Sequence, residues 1–194
     1  MLETTRRHVF LAGFMGTGKT VVGREVAQRL GWGFIDLDEF IVSICRHTIP
    51  EIFQTEGEVS FRDYESRALR LAVISPHSVI ALGGGTPMRQ ANANIVCATG
   101  RCWLLTASWD VIWQRVYGEV ARRPMLAPLA SRSGTDGPGL EEFRAFAGPL
   151  MEQRDAAYKG IADHSLDTSV GSIENLAMRI VDETTLGVSR GAGR

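Results

Sequence analysis

Gly13-Phe14-Met15-Gly16-Thr17-Gly18-Lys19-Thr20 carries the four fixed positions of a phosphate-binding loop: Gly13, Gly18, Lys19 and Thr20. The glycines let the backbone turn tightly, so that consecutive N–H groups point at phosphate oxygens. Lys19 adds a point charge on the β- and γ-phosphates, and Thr20 offers a hydroxyl to Mg²⁺. Such a loop needs a strand before it and a helix after it, and both are present. His8-Val9-Phe10-Leu11-Ala12 is a short apolar run of strand length. Val22, Val26 and Leu30 then recur at spacing four, one face of a helix, and Gly31 supplies a C-terminal stop. The loop thus sits where a helix N-terminus adds its dipole to anion binding.

Around this motif the chain is ordinary. Its 194 residues suit one domain with a real core, at 44% hydrophobic and 22% charged. The formal net charge of −1 gives no global pull towards nucleic acid or an anionic membrane. No apolar run reaches the length of a membrane span, and residues 1–7 lack the apolar core of a signal peptide. Cys45, Cys97 and Cys102 form no metal or CxxC spacing and read as reduced thiols of a cytoplasmic protein. The scattered histidines offer no zinc site.

Strand-like and helix-like segments alternate. Strands are predicted at 8–12, 33–36, 77–82, 101–106 and 164–167. Helices are predicted near 19–30, 38–46, 50–54, 58–74, 88–96, 108–117, 149–161 and 172–184. This alternation implies an α/β fold with a parallel sheet covered by helices on both faces. The domain is expected to span 1–186, with a disordered tail at 187–194. Residues 118–140 break the rhythm with Arg, Pro, Gly and Ser. A mobile lid that excludes water from a transferring phosphoryl group is one reading, and an exposed insertion is the other for 127–140.

Asp36 and Asp38 end the second strand at spacing two, which puts both carboxylates on one side if the strand continues. There they face the ligand crevice, although Asp38 also suits a helix N-cap. Arg62 presents a planar fork suited to a carboxylate, or else pairs with Glu65 on a helix surface. Gly83-Gly84-Gly85 follows the most buried strand and lets a ligand approach the backbone. Arg154 lies on a late helix and says little alone.

Taken together, these motifs resemble the shikimate kinase family over about residues 8–170. The series is the loop at 13–20, Phe34-Ile35-Asp36-Leu37-Asp38, Ile52-Phe53 with Glu56-Gly57-Glu58 and Phe61-Arg62, Ala81-Leu82-Gly83-Gly84-Gly85, Arg123-Pro124-Met125-Leu126, and Arg154 with Tyr158. The resemblance implies a P-loop NTPase-type three-layer α/β/α fold. Its sheet would be five-stranded and parallel, in the order 2-3-1-4-5. It also implies transfer of the ATP γ-phosphate to the 3-hydroxyl of shikimate by a monomer. Gly13, Gly16, Thr17, Gly18, Lys19 and Thr20 would hold ATP, with Mg²⁺ at Thr20 and Asp36. Asp38 would bind the shikimate hydroxyls and orient or deprotonate the nucleophile. Arg62 and Arg154 would clamp the carboxylate beside Gly83, Gly84 and Gly85. Arg123 would swing over the phosphates as a lid arginine, catalytic together with Lys19 and Asp38.

Two other readings stay open on sequence. One is a related kinase with a different acid as acceptor. The other is a sensing module that binds such acids without turnover.

Overall fold

In the computed structural model, residues 7–118, 126–130 and 138–191 are described. Five strands form one parallel sheet: β1 (His8–Ala12), β2 (Gly33–Asp36), β3 (Ser78–Ala81), β4 (Gly100–Thr106) and β5 (His164–Asp167). Their spatial order is β2-β3-β1-β4-β5, as expected. Central β1 pairs with β3 through Val9–Val79 and Phe10–Ile80, and with β4 through Phe10–Cys102 and Leu11–Trp103.

Period-two alternation sends neighbouring side chains of β1 into two different cores. Phe10 joins Ile80, Cys102 and Leu104 against α2 (Leu37–Cys45), α4 (Gly57–Ala72) and α5 (Gln90–Thr99). Val9 and Leu11 join Val79, Trp103 and Leu105 against α1 (Lys19–Leu30) and α9 (Ile173–Gly191). Every residue of β1 and β3 is buried, which explains their unbroken apolar runs. Truncating the fully buried Phe10 to Ala would cost about 3–5 kcal/mol. A third cluster lies beneath the phosphate loop. It packs Phe14 with Ile112 and Val116 of α6 (Trp109–Val116), Leu129 of α7 (Ala127–Ala130), and Phe143 and Ala147 of α8 (Leu140–Ile161).

Element boundaries depart from expectation in three places. The helix predicted from 149 begins at Leu140 and carries Pro149 inside it. Proline suits a helix start, and it also costs an interior helix one backbone hydrogen bond. Here burial of Phe143 and Ala147 on the added turns offsets that loss. The stretch predicted as one helix over 88–96 divides into a 3₁₀ turn at Thr86–Met88 and α5. The backbone of α9 runs on to Gly191, into the stretch expected to lack structure; extending an existing helix is far easier than starting one. Residues 192–194 lie outside the described residues.

Candidate active site

The loop at 13–20 joins β1 to α1 at the carboxyl edge of the sheet. Gly13 has φ +142°, and a β-carbon there would overlap the Leu105 carbonyl oxygen. Gly16 and Gly18 also have positive φ, and Gly18 is the residue from which α1 departs. The Lys19 ammonium folds back over the loop, donating to the carbonyls of Gly13 at 2.8 Å and Phe14 at 3.1 Å. The buried Thr17 hydroxyl donates to the Phe14 carbonyl at 2.8 Å.

Sequence reading left out a brace on this loop. Arg115 donates to the Gly16 carbonyl at 3.1 Å and to the Thr168 hydroxyl and carbonyl at 3.0 and 2.8 Å. The Thr168 hydroxyl lies 2.9 Å from the Thr17 carbonyl and 3.1 Å from the Thr106 carbonyl. The only advance signal for Thr168 is its place one residue beyond the end of β5.

Thr20 and Asp36 meet across the sheet edge, the hydroxyl donating to the carboxylate at 2.6 Å. A hydroxyl and a carboxylate oxygen beside a phosphate loop are the hard donors that Mg²⁺ takes. β2 does not continue past Asp36, so the period-two argument for Asp36 and Asp38 fails. Asp38 instead sits in the first turn of α2, and Asp36 is the N-cap, accepting from the Asp38 N–H at 3.1 Å. The capping role considered for Asp38 thus belongs to its neighbour. Both carboxylates still line the cleft that contains Gly16, Gly18, Lys19 and Thr20.

A second cavity of about 350 Å³ opens beside this cleft, and Met15, Lys19 and Asp38 line both. Its polar wall holds Arg62, Gly84, Gly85 and Arg154, and Phe53 and Phe61 stand on its apolar side. The three glycines have distinct roles. A β-carbon at Gly83 would fall 2.6 Å from Glu65 Oε1 and 2.8 Å from Asp38 Oδ1. One at Gly84 would fall 2.8 Å from Arg154 Nη1, and one at Gly85 would overlap Arg62 Nη1. Each missing side chain lets a charged group reach the backbone.

Glu65 is a correction. It was expected on the α4 surface, yet it is 1% exposed. Its carboxylate accepts from Arg62 at 2.6 Å and from the buried Thr86 hydroxyl at 3.0 Å. The signal was present: Phe61, Glu65, Ala68, Leu69 and Ala72 share one helical stripe, and all are buried. Burial opposes the charge on Arg62, but Glu65 and Glu58 outweigh it and hold the guanidinium above its ordinary value. Arg154, which says little alone but which the resemblance assigns to the carboxylate, is 6% exposed. Among the described residues it forms no ion pair with a carboxylate. Arg123 lies outside the described residues.

A parallel 2-3-1-4-5 sheet, a phosphate loop and an adjoining arginine-walled cavity define a P-loop kinase of small molecules. The shikimate kinase family model matches residues 15–185. The shikimate kinase of Rhodopirellula baltica is 35% identical over 182 residues, covering 92% of this chain and 91% of its own. That of Geobacter sulfurreducens is 38% identical over 174 residues, covering 90% and 88%. The structure of shikimate kinase from Acinetobacter baumannii in complex with shikimate superposes with a TM-score of 0.76 at 30% identity, covering 95% of this chain and 96% of that one. The chain belongs to the shikimate kinase family, and it is an ATP-dependent phosphotransferase.

Proposed function

We propose that the protein transfers the γ-phosphate of ATP to the 3-hydroxyl of shikimate, giving shikimate 3-phosphate and ADP. The observation that carries this reading is Arg154. A buried guanidinium with no carboxylate partner among the described residues is costly, and an anionic ligand relieves that cost. Its cavity holds Lys19 and Asp38, which also line the nucleotide cleft. A small acid held there by its carboxylate brings a hydroxyl up to the phosphate loop.

In this reading Gly13, Gly16, Thr17, Gly18, Lys19 and Thr20 bind ATP. Thr20 and Asp36 would hold Mg²⁺, which supplies positive charge to the phosphates. Asp38 orients or deprotonates the attacking hydroxyl, and Arg62 and Arg154 receive the carboxylate beside Gly83, Gly84 and Gly85. Arg123 acts as the lid arginine. Phosphoryl transfer asks a protein mainly for such positioning and charge neutralisation. We further take residues 1–186 as one domain working as a cytoplasmic monomer, in keeping with three cysteines that are free thiols. No described helix is long and apolar enough to cross a membrane.

The test is ADP release with Mg²⁺-ATP and shikimate, with quinate and gluconate as parallel acceptors. The expected result is release that depends on shikimate and is lost in Asp38→Asn. Release with another acid moves the acceptor. Binding of shikimate without any release turns the protein into a sensor and ends the kinase reading.

A further inference from the structure

The two cavity arginines differ electrostatically. Arg62 is met by two carboxylates, Glu58 at 2.7 Å and Glu65 at 2.6 Å. Arg154 instead lies beside a neutral group, the Tyr158 hydroxyl one turn further along α8. Tyr158 is 4% exposed, and its hydroxyl donates to the Gly84 carbonyl at 2.7 Å. A β-carbon at Gly84 would lie 2.8 Å from Arg154 Nη1 and 3.5 Å from the Tyr158 oxygen, so all three groups converge.

A phenol has one hydrogen to give. Gly84 takes it, which leaves the lone pairs of the oxygen for the guanidinium. The direction of the Tyr158–Gly84 bond is thereby set, and the phenol oxygen turns its acceptor side to Arg154. A carboxylate in this place would hold Arg154 equally well but cancel its charge. We propose that Tyr158 is a positioning residue for the acceptor acid, aiming Arg154 into the cavity while leaving its charge for the substrate carboxylate. The same hydroxyl pins the Gly84 peptide that lines the cavity. Burial also pushes the phenol up from its ordinary value, so the hydrogen stays in place at working pH. This inference rests on the reading of the cavity as the acceptor site.

The test compares wild type, Tyr158→Phe, Arg154→Ala and the double variant by kcat/KM for shikimate, KM for ATP and thermal melting. Removing the acceptor oxygen beside a buried guanidinium, together with its bond to the Gly84 carbonyl, predicts a roughly tenfold rise in shikimate KM for Tyr158→Phe. Its kcat should stay within about threefold and its ATP KM within about twofold. In the Arg154→Ala background the same change should add much less, because only the hold on Gly84 remains to be lost. An equal penalty in both backgrounds overturns the proposal, as does a loss shared with ATP KM. Should Tyr158→Phe fail to fold, fluorotyrosine labelling keeps the hydroxyl. The Tyr158 resonance, assigned through Tyr64→Phe and Tyr117→Phe, should shift with shikimate and not with ATP. A resonance that ignores shikimate sinks the idea. Wild type without shikimate-dependent ADP release removes the parent reading and this inference together. Wild-type turnover with an unmoved Tyr158→Phe KM removes this inference alone.

Discussion

The Thr20 hydroxyl donates to the Asp36 carboxylate at 2.6 Å, tying the first turn of α1 to the end of β2. Asp36 also caps α2, so two functions meet in one side chain. Substitution should separate them. Asn retains capping ability while Ala does not, and both lose the charge. Asp36→Ala and Asp36→Asn should each raise the Mg²⁺ needed for half-maximal turnover by about 10–100-fold. Only Asp36→Ala should lose about 1 kcal/mol of stability in urea denaturation. Equal destabilisation of the two variants would refute the capping assignment.

Glu65→Ala removes the buried partner of Arg62 and Thr86. Loss of one member of a buried pair predicts a cost of roughly 3 kcal/mol, and Glu65→Gln should cost less. In both, shikimate KM should rise because Arg62 is freed to rotate. Denaturation curves and steady-state kinetics check this; a Gln variant with unchanged KM would make Glu65 a packing residue only.

Gly85→Ala places a β-carbon onto Arg62 Nη1. The guanidinium must move, and its bond to Glu65 must lengthen. Shikimate KM should rise about tenfold, equivalent to ~1.4 kcal/mol of binding, with ATP KM unchanged. A parallel loss in ATP affinity would point to damage beyond the acid cavity.

His8 gives the fold a pH dependence. Burial holds its pKa below the ordinary 6.5, aided by His77 and Arg7 and opposed by the nearby backbone at Val73 and Ser78. A folded value below the unfolded one means that the unfolded chain binds more protons between the two. The stabilisation is therefore complete above pH 6.5 and declines as pH falls through the folded value. Urea midpoints between pH 8 and pH 5 should fall more steeply for wild type than for His8→Gln. Identical slopes would place the titrating group elsewhere.

Arg123→Ala should lower kcat by about 10²–10³ while leaving shikimate KM nearly unchanged, because the proposed contact forms on closure. Equal losses in both parameters would remove the lid role. Rapid-quench kinetics beside equilibrium shikimate binding make the comparison.

The β1–loop–α1 unit was legible because its information is local. Gly13, Gly18, Lys19 and Thr20 are constrained by backbone geometry and by charge at fixed spacing. The strand order needed the whole motif series, since no single strand names its neighbour. Asp36 and Asp38 were located, but their geometry was misread, because α2 starts one residue after β2 ends. Glu65 was missed for the opposite reason: an i,i+3 pair with Arg62 is as common on a surface as in a site, and only packing tells them apart. The burial of Arg154 depends on Gly84, seventy positions earlier in the chain, and no local pattern carries it. α8 begins at Leu140 rather than at 149 and runs through Pro149, a residue commoner at a helix start than inside one.

Met15, Lys19 and Asp38 stand in the walls of both cavities. In the proposed function each substrate would settle against side chains that the other also touches, which would link the two affinities thermodynamically. Linkage is reciprocal: whatever factor bound nucleotide imposes on the dissociation constant of the acid, the acid imposes on that of the nucleotide. A change at Met15 would alter that shared factor, and with it how strongly the first ligand to arrive prepares the protein for the second.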